Sequence, residues 1–226
     1  MTPREVVGTA AVPGGDPLRL VRHGDDFAIL LDRNELMSSR VGGSEAALGA
    51  MTCERLAKRP RGFGVGVRLL IGGYGMGFTL RAVLAASPAD ARVTVAELLP
   101  EIIEWARGPM AALTSGCLDD PRVELRLGDV AAMMGGASYD AVLLDVDNGP
   151  HGLTRAANEG LYSPGGLARA RAALRPDGVL AIWSAGPDAA FARRLSQAGF
   201  AADEVRVRAR ENGKGPTHVI WFATPR

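Results

Sequence analysis

Glycines and acidic residues follow directly after several apolar runs of this chain, in types and spacing suited to binding a small ligand. The first group is Gly72-Gly73-Tyr74-Gly75-Met76-Gly77, which follows the run Val67–Ile71. Glycine lets the backbone turn sharply and approach a ligand, and the N-terminus of a following helix offers free N–H groups. The spacing differs from the dinucleotide pattern G-x-G-x-x-G, so a purely structural turn remains the alternative interpretation.

Single acidic residues follow the next two apolar runs. Glu97 comes directly after Val93–Ala96, roughly 20 residues beyond the glycine segment, where a carboxylate can accept hydrogen bonds from both ribose hydroxyls of a nucleoside. The alternative for Glu97 is a helix N-cap. Asp129 comes after Val123–Leu127 and is suited either to bind an exocyclic amine or to cap the following turn.

Two carboxylates, Asp145 and Asp147, follow the apolar run Ala141–Leu144. Burying such a pair is costly unless the carboxylates are partnered or face a cationic ligand. His151 lies just beyond them, and its near-neutral pKa suits a general base, although a surface histidine in a loop is the alternative. We therefore predict Asp145, Asp147 and His151 as the catalytic candidates.

A regular alternation of strands and helices positions these groups. From residue 63 onward the pattern predicts a doubly wound, mostly parallel, seven-stranded Rossmann-like α/β sheet. The third and fourth strands are continuous and apolar, which predicts burial on both faces. Ligands bind such sheets beyond the carboxyl ends of the strands, where the groups above should meet. The predicted strands are 67–71, 93–96, 123–127, 141–144, 179–183, 205–208 and 218–223, and the predicted helices include 76–86, 100–113, 167–174 and 189–198.

A smaller N-terminal unit precedes the sheet. Residues 4–31 predict short strands separated by turns, and Ser44-Glu45 opens a helix that extends to about Lys58. We predict an N-terminal β segment plus helix over residues 1–62 and the Rossmann-like domain over residues 63–226.

Composition narrows the classes of function. The 226 residues are 47% hydrophobic and 23% charged, which is typical of a soluble globular protein and excludes a disordered chain. No apolar run approaches the 18 or so residues needed to span a bilayer, and no secretory segment opens the chain, so we expect a cytoplasmic protein without a membrane partner. Two cysteines and three histidines predict no metal site.

The net charge of +1 does not favour binding to a large polyanion, so we expect no nucleic-acid partner. Locally, the stretch 55–68 carries Arg55, Lys58, Arg59, Arg61 and Arg68 against the single acid Glu54. This stretch is either a solvated helix end with its linker or a patch that attracts an anion, and the sequence leaves both interpretations open.

Residues 67–183 resemble the class I S-adenosylmethionine-dependent methyltransferase fold, and more narrowly its spermidine synthase (polyamine aminopropyltransferase) branch. The N-terminal β segment also resembles that branch. The motifs that carry the resemblance are the glycine loop with Thr79-Leu80-Arg81-Ala82-Val83, Val95-Ala96-Glu97, Asp120-Pro121-Arg122-Val123-Glu124, Gly128-Asp129, Tyr139-Asp140-Ala141-Val142-Leu143-Leu144-Asp145 and Leu174-Arg175-Pro176-Asp177-Gly178-Val179.

The resemblance implies S-adenosylmethionine, or its decarboxylated form, as the cofactor, with no metal. It implies that the glycine loop faces the methionine portion, Glu97 the ribose and Asp129 the adenine amine, while Asp145 lies beside the reacting amine. It also implies a small-molecule acceptor and a homodimer. The implied cofactor-binding residues are Gly73, Tyr74, Gly75, Gly77, Glu97, Leu98, Asp129, Val130 and Asp145.

Departures from the family pattern bear on the reaction. The family's glycine loop carries an aspartate where this chain has Met76. The family also has a tyrosine-histidine pair in its first long helix, and this chain lacks the pair, with Ala46, Ala47 and Leu48 in that region. The family's aspartate loop is shortened to residues 145–150. These differences favour methyl transfer to an amine or another small nucleophile.

Two other functions stay open. The first is aminopropyl transfer from decarboxylated S-adenosylmethionine to a diamine, which would use the same pocket. The second is a non-catalytic nucleoside-binding or scaffold protein, against which the joint presence of Glu97, Asp129 and Asp145 argues.

Overall fold

The computed structural model describes residues 4–12, 15–146, 160–210 and 212–226. The strands are β1 (Glu5–Ala10), β2 (Leu18–His23), β3 (Asp26–Leu31), β4 (Asn34–Ser38), β5 (Arg68–Gly72), β6 (Arg92–Glu97), β7 (Val123–Leu127), β8 (Tyr139–Leu144), β9 (Leu174–Ser184), β10 (Phe200–Arg208) and β11 (Thr217–Pro225). The helices are α1 (Gly43–Ala57), α2 (Phe78–Ala86), α3 (Pro100–Arg107), α4 (Ala111–Thr114), α5 (Val130–Met133), α6 (Pro164–Ala173) and α7 (Ala189–Gln197), with a 3-10 turn at Cys117–Asp119. In this part of the chain no helix has the length and apolar character needed to cross a bilayer.

A seven-stranded sheet has the order β10-β11-β9-β8-β5-β6-β7. Strands β5, β6, β7, β8 and β9 pair parallel with one another. Strand β11 pairs antiparallel with both β9 and β10. The chain runs outward from β5 through β6 to β7 and then returns to place β8 on the other side of β5. This is the predicted doubly wound sheet, and its topological switch point lies at β5.

Both faces of the sheet are covered. Leu69 and Ile71 of β5 belong to one hydrophobic core, together with side chains of α1, α2 and α3. Leu70 of β5 belongs to a second core with residues of α6 and α7. Successive side chains of a strand point to opposite faces, so an unbroken apolar run such as β5 fills two cores at once.

The N-terminal residues form the predicted β segment, a four-stranded antiparallel sheet in the order β1-β2-β3-β4. Helix α1 packs along α2 and also contacts β9. The boundary between residues 62 and 63 stays a prediction, although α1 precedes that boundary and packs on elements that follow it.

Two predicted elements differ in the structure. The helix expected over residues 100–113 is two helices, because α3 ends at Arg107 and Gly108 and Pro109 separate it from α4. Strand β7 is an edge strand that pairs with β6 alone, and Leu127 is 58% exposed, so the expected burial of both faces is wrong for this strand. Glu124 and Arg126 alternate with the apolar residues of β7, a pattern typical of a strand with one solvent-facing side.

Two arginines of the basic stretch 55–68, Arg59 and Arg61, are paired with one buried carboxylate. Asp140, at the start of β8, is fully buried and accepts hydrogen bonds from Arg61 at 2.7 Å, Arg175 at 2.9 Å and Arg59 at 3.2 Å. The backbone N–H of Arg68 donates to the same carboxylate at 2.9 Å. Burial by itself would raise the pKa of Asp140, but these donors hold the pKa below its usual value. The network ties the linker after α1 to β8 and β9.

Replacing Asp140 with asparagine should lower the free energy of unfolding by about 3 kcal/mol, because the variant leaves several arginines around a neutral buried group. Since the pKa of Asp140 is lowered on folding, this difference should persist from neutral pH to about pH 4 and close at lower pH, where the wild-type carboxylate is protonated as well. Urea unfolding at several pH values measures both effects.

The matched control for Asp140 is Asp203→Asn. Asp203 pairs with Arg55 at 3.5 Å, and its side chain is 76% exposed. This change should cost less than about 1 kcal/mol, as is usual for exposed ion pairs. Equal effects of the two substitutions would contradict a structural role for the Asp140 network.

Candidate functional site

The glycine loop between β5 and α2 lies against the end of β8. Gly73, Gly75 and Gly77 have φ angles of 87°, 55° and 75°, a region that side-chain-bearing residues rarely adopt. A Cβ atom on Gly73 would lie 2.3 Å from the carbonyl oxygen of Asp145. The loop therefore needs glycine for backbone conformation and, at Gly73, also for its close approach to β8.

Glu97 is buried at the end of β6 and holds the glycine loop in place. Its Oε2 accepts the backbone N–H of Tyr74 at 2.9 Å, and its Oε1 accepts that of Leu99 at 2.9 Å. Burial raises the pKa of Glu97, while backbone hydrogen bonds from Leu99, Tyr74, Leu98 and Gly75 oppose the rise. The carboxylate of Glu97 thus holds the backbone on both sides of it, and its role toward a ribose stays a prediction.

Tyr74, Leu98 and Met76 differ in which of their groups could reach a ligand. The Tyr74 side chain is buried, and its hydroxyl lies 3.5 Å from Cys117 Sγ, so only its backbone is directed to Glu97. Leu98 is 39% exposed. Met76, at the position where the related family has an aspartate, is 2% exposed and belongs to the hydrophobic core, so it presents no polar group to a ligand.

Asp129 and Val130 follow the end of β7. Asp129 is exposed, and its Oδ1 accepts the N–H of Ala131 at 2.8 Å, which makes it the N-cap of α5. Val130 is buried beneath the first glycine of the loop, since a Cβ on Gly72 would lie 2.8 Å from it. Asp129 therefore caps a helix, as the alternative interpretation predicted, and its binding of the adenine amine stays a prediction.

Asp145 immediately follows β8, and its backbone N–H donates to the carbonyl of Gly72 at 2.9 Å. Its Oδ2 lies 2.6 Å from the hydroxyl of Thr79, a residue in the first turn of α2. Burial raises the pKa of Asp145, and the Thr79 hydrogen bond opposes this rise. The hydroxyl of Tyr162 donates to the carbonyl of Val146 at 3.4 Å, so Tyr162 borders the same end of the sheet.

Sequence reasoning missed one acidic residue of this cluster, Glu45 in the first turn of α1. The Thr79 hydroxyl that contacts Asp145 also lies 3.0 Å from the backbone carbonyl of Glu45. Burial, and next the charge of Asp145, raise the pKa of Glu45. The only sequence signal was an acidic residue at the start of a helix, which helix capping explains equally well.

Two of the predicted catalytic residues, Asp147 and His151, lie outside the described residues. The structure brings Gly73 and Asp145 into contact, joins Tyr74 to Glu97, and places Asp129 at the end of the neighbouring strand. In the described ranges no group of three or more His, Cys, Asp or Glu residues is arranged to hold a metal ion.

No family model matches the chain. A curated relative from Mycobacterium tuberculosis (strain ATCC 25618 / H37Rv), named polyamine aminopropyltransferase, is 32% identical over 171 residues, which are 70% of this chain and 30% of the relative. A protein of the same name from Nitrosomonas europaea is 35% identical over 97 residues, covering 42% of this chain and 28% of the relative. The chain thus spans about a third or less of the length of these two relatives.

Solved structures agree with these sequence matches. Spermidine synthase from Thermotoga maritima superposes with a TM-score of 0.74 at 19% identity, covering 98% of this chain and 73% of that chain. A spermidine synthase in complex with the transition-state analogue AdoDATO gives a TM-score of 0.73 at 18% identity, covering 98% and 72%. The sequence matches and the shared fold confirm the predicted resemblance of this chain to the spermidine synthase-like branch of the class I S-adenosylmethionine-dependent methyltransferase fold.

Proposed function

We propose that this chain transfers an aminopropyl group from decarboxylated S-adenosylmethionine to an amine acceptor of the diamine class. The observation that carries the proposal is the position of Asp145 at the end of β8, where its backbone contacts the glycine loop at the switch point of the sheet and its carboxylate contacts Thr79 at the start of α2. Relatives named polyamine aminopropyltransferase support this reaction over methyl transfer, which the sequence alone favoured.

The residues at the strand ends suit a nucleoside-containing donor. Glu97, at the end of β6, is the carboxylate that we assign to the pair of ribose hydroxyls, and the glycine loop lets the backbone approach the rest of the ligand. When bound, the donor supplies an electrophilic carbon next to its sulfonium. The protein's task is to bind and align the two substrates, and alignment alone lowers a bimolecular barrier by several kcal/mol.

Asp145 is suited to hold the acceptor amine and to take its proton. A primary amine is an ammonium ion at neutral pH, and it must lose a proton before its nitrogen can attack. The raised pKa of Asp145, about 6, brings this carboxyl closer to the working pH, which favours proton transfer. Thr79 fixes one carboxylate oxygen and so orients the group.

Methyl transfer from S-adenosylmethionine is the second candidate. One observation favours it: the glycine loop offers no acid at residue 76, since Met76 is buried in the core. The same crevice and the same Asp145 would serve that reaction with an amine acceptor.

Product analysis separates the two reactions. With 1,4-diaminobutane as acceptor, we expect decarboxylated S-adenosylmethionine to yield methylthioadenosine at least about tenfold faster than S-adenosylmethionine yields S-adenosylhomocysteine, a difference of about 1.4 kcal/mol in barrier. Chromatography of the nucleoside products measures both rates. Faster formation of S-adenosylhomocysteine would establish the methyl-transfer candidate instead.

Replacing Asp145 with asparagine should lower turnover by roughly 10²–10⁴-fold, because the amide keeps the shape of the side chain but cannot accept the proton. Affinity for the donor should fall far less than turnover. Turnover and calorimetric binding are measured on the same preparation, with Asp119→Asn, whose side chain is 74% exposed, as the control. Turnover within a few-fold of wild type would remove Asp145 from the chemistry.

Replacing Glu97 with glutamine should weaken donor binding by about 1.5–3 kcal/mol, the usual loss for hydrogen bonds to a charged group. Glutamine retains one carbonyl oxygen to accept a backbone N–H, so it disturbs the glycine loop less than alanine would. Calorimetry measures the affinity, and circular dichroism checks the fold. An unchanged affinity in a folded variant would show that Glu97 serves only to hold the loop.

A further inference from the structure

The start of α1 and the end of β8 meet at a single hydroxyl. Thr79 Oγ1 lies 2.6 Å from Asp145 Oδ2 and 3.0 Å from the backbone carbonyl of Glu45. The backbone of Glu45 is thereby fixed next to the proposed proton acceptor, although Glu45 belongs to a helix that precedes the Rossmann-like sheet in the chain. The charge of Asp145 acts directly on the Glu45 carboxyl.

A second set of contacts holds the Glu45 side chain. The hydroxyl of the fully buried Ser44 donates to Glu45 Oε2 at 2.6 Å and lies 2.8 Å from His218 Nδ1 on β11. When Glu45 is ionised, the Ser44 hydroxyl donates to Glu45 and accepts from Nδ1 of His218; when Glu45 is protonated, the chain of hydrogen bonds can run in the opposite direction. Burial lowers the pKa of His218, which favours the neutral ring over the imidazolium.

We propose that Glu45 is a positioning residue of the amine-transfer site, which acts through Asp145 so that an entering ammonium group meets two carboxylates instead of one. The pair shares a proton while the crevice is empty, because two neighbouring carboxylates do not ionise together without cost. An ammonium group offsets that cost, so its binding releases the proton to solvent. The inference rests on the proposed function in one respect. The proposed reaction supplies the ammonium group, which belongs either to the donor's aminopropyl chain or to the acceptor.

The arginines of α1 and α2 contact groups other than Glu45 and Asp145. Arg81, the one charged residue of α2, stacks on Phe78 with 4.9 Å between its guanidinium carbon and the ring centroid. On α1, Arg55 lies over the Phe222 ring at 3.8 Å and pairs with Asp203. On β11, His218 reaches the pair through Ser44, and the ring of Trp183 on β9 packs against it with centroids 4.7 Å apart.

Carboxyl NMR of protein labelled with ¹³C in its glutamate side chains tests the proposal without any assay of activity. In Asp145→Asn, the pKa of Glu45 should fall by about one pH unit, because the charge that raises it is gone. Asp145→Glu keeps the charge and should restore most of the raised pKa. Asp203→Asn, with a 76% exposed side chain, should leave the pKa of Glu45 unchanged. An unchanged Glu45 pKa in a folded Asp145→Asn variant would overturn the proposal.

Calorimetry in buffers of different ionisation enthalpy supplies the second readout. Near pH 7, binding of decarboxylated S-adenosylmethionine alone, or of 1,4-diaminobutane alone, should release a fraction of a proton from the wild-type protein and less from Glu45→Gln. The ligand that shows this difference identifies whose ammonium group the pair holds. Equal proton release from the two proteins with both ligands would contradict the proposal. Neither readout depends on turnover, so failure of the proposed reaction would be seen separately.

Discussion

The contact between the glycine loop and the end of β8 determines where chemistry can occur in this molecule. Asp145 donates its backbone N–H to Gly72, and the next residue, Gly73, has no space for a side chain because the Asp145 carbonyl occupies it. Strands β5 and β8 are neighbours although β6 and β7 lie between them in sequence. The switch point thus brings a loop suited to a nucleoside ligand next to a carboxylate suited to an amine.

Three carboxyl groups lie at this edge of the sheet with raised pKa values, and burial is the largest cause for each. Glu97 is stabilised by backbone amides and so holds the glycine loop in place. Asp145 has the Thr79 hydroxyl, and Glu45 has Ser44 next to His218. A cation in the crevice would stabilise the ionised forms of Asp145 and Glu45 further.

The sequence predicted the sheet because its central strands are strongly apolar and its helices alternate with them at regular intervals. It also predicted Glu97, Asp129 and Asp145, since residues at the ends of parallel strands meet at one edge. It could not predict that Asp140 gathers arginines from the basic stretch and from β9, or that Glu45 joins Asp145. Both contacts depend on how α1 and its linker pack against a distant part of the chain, and local periodicity carries no information about such packing.

The proposed reaction requires a crevice that favours a donor with an ammonium group and no carboxylate. A carboxylate on the donor would be repelled by Asp145 and Glu45, whereas an ammonium group alone would be attracted. Calorimetric titration of the wild-type protein with S-adenosylmethionine and with its decarboxylated form tests this directly. We expect at least about tenfold tighter binding of the decarboxylated form, or about 1.4 kcal/mol. Equal affinities, or tighter binding of S-adenosylmethionine, would contradict the proposed reaction.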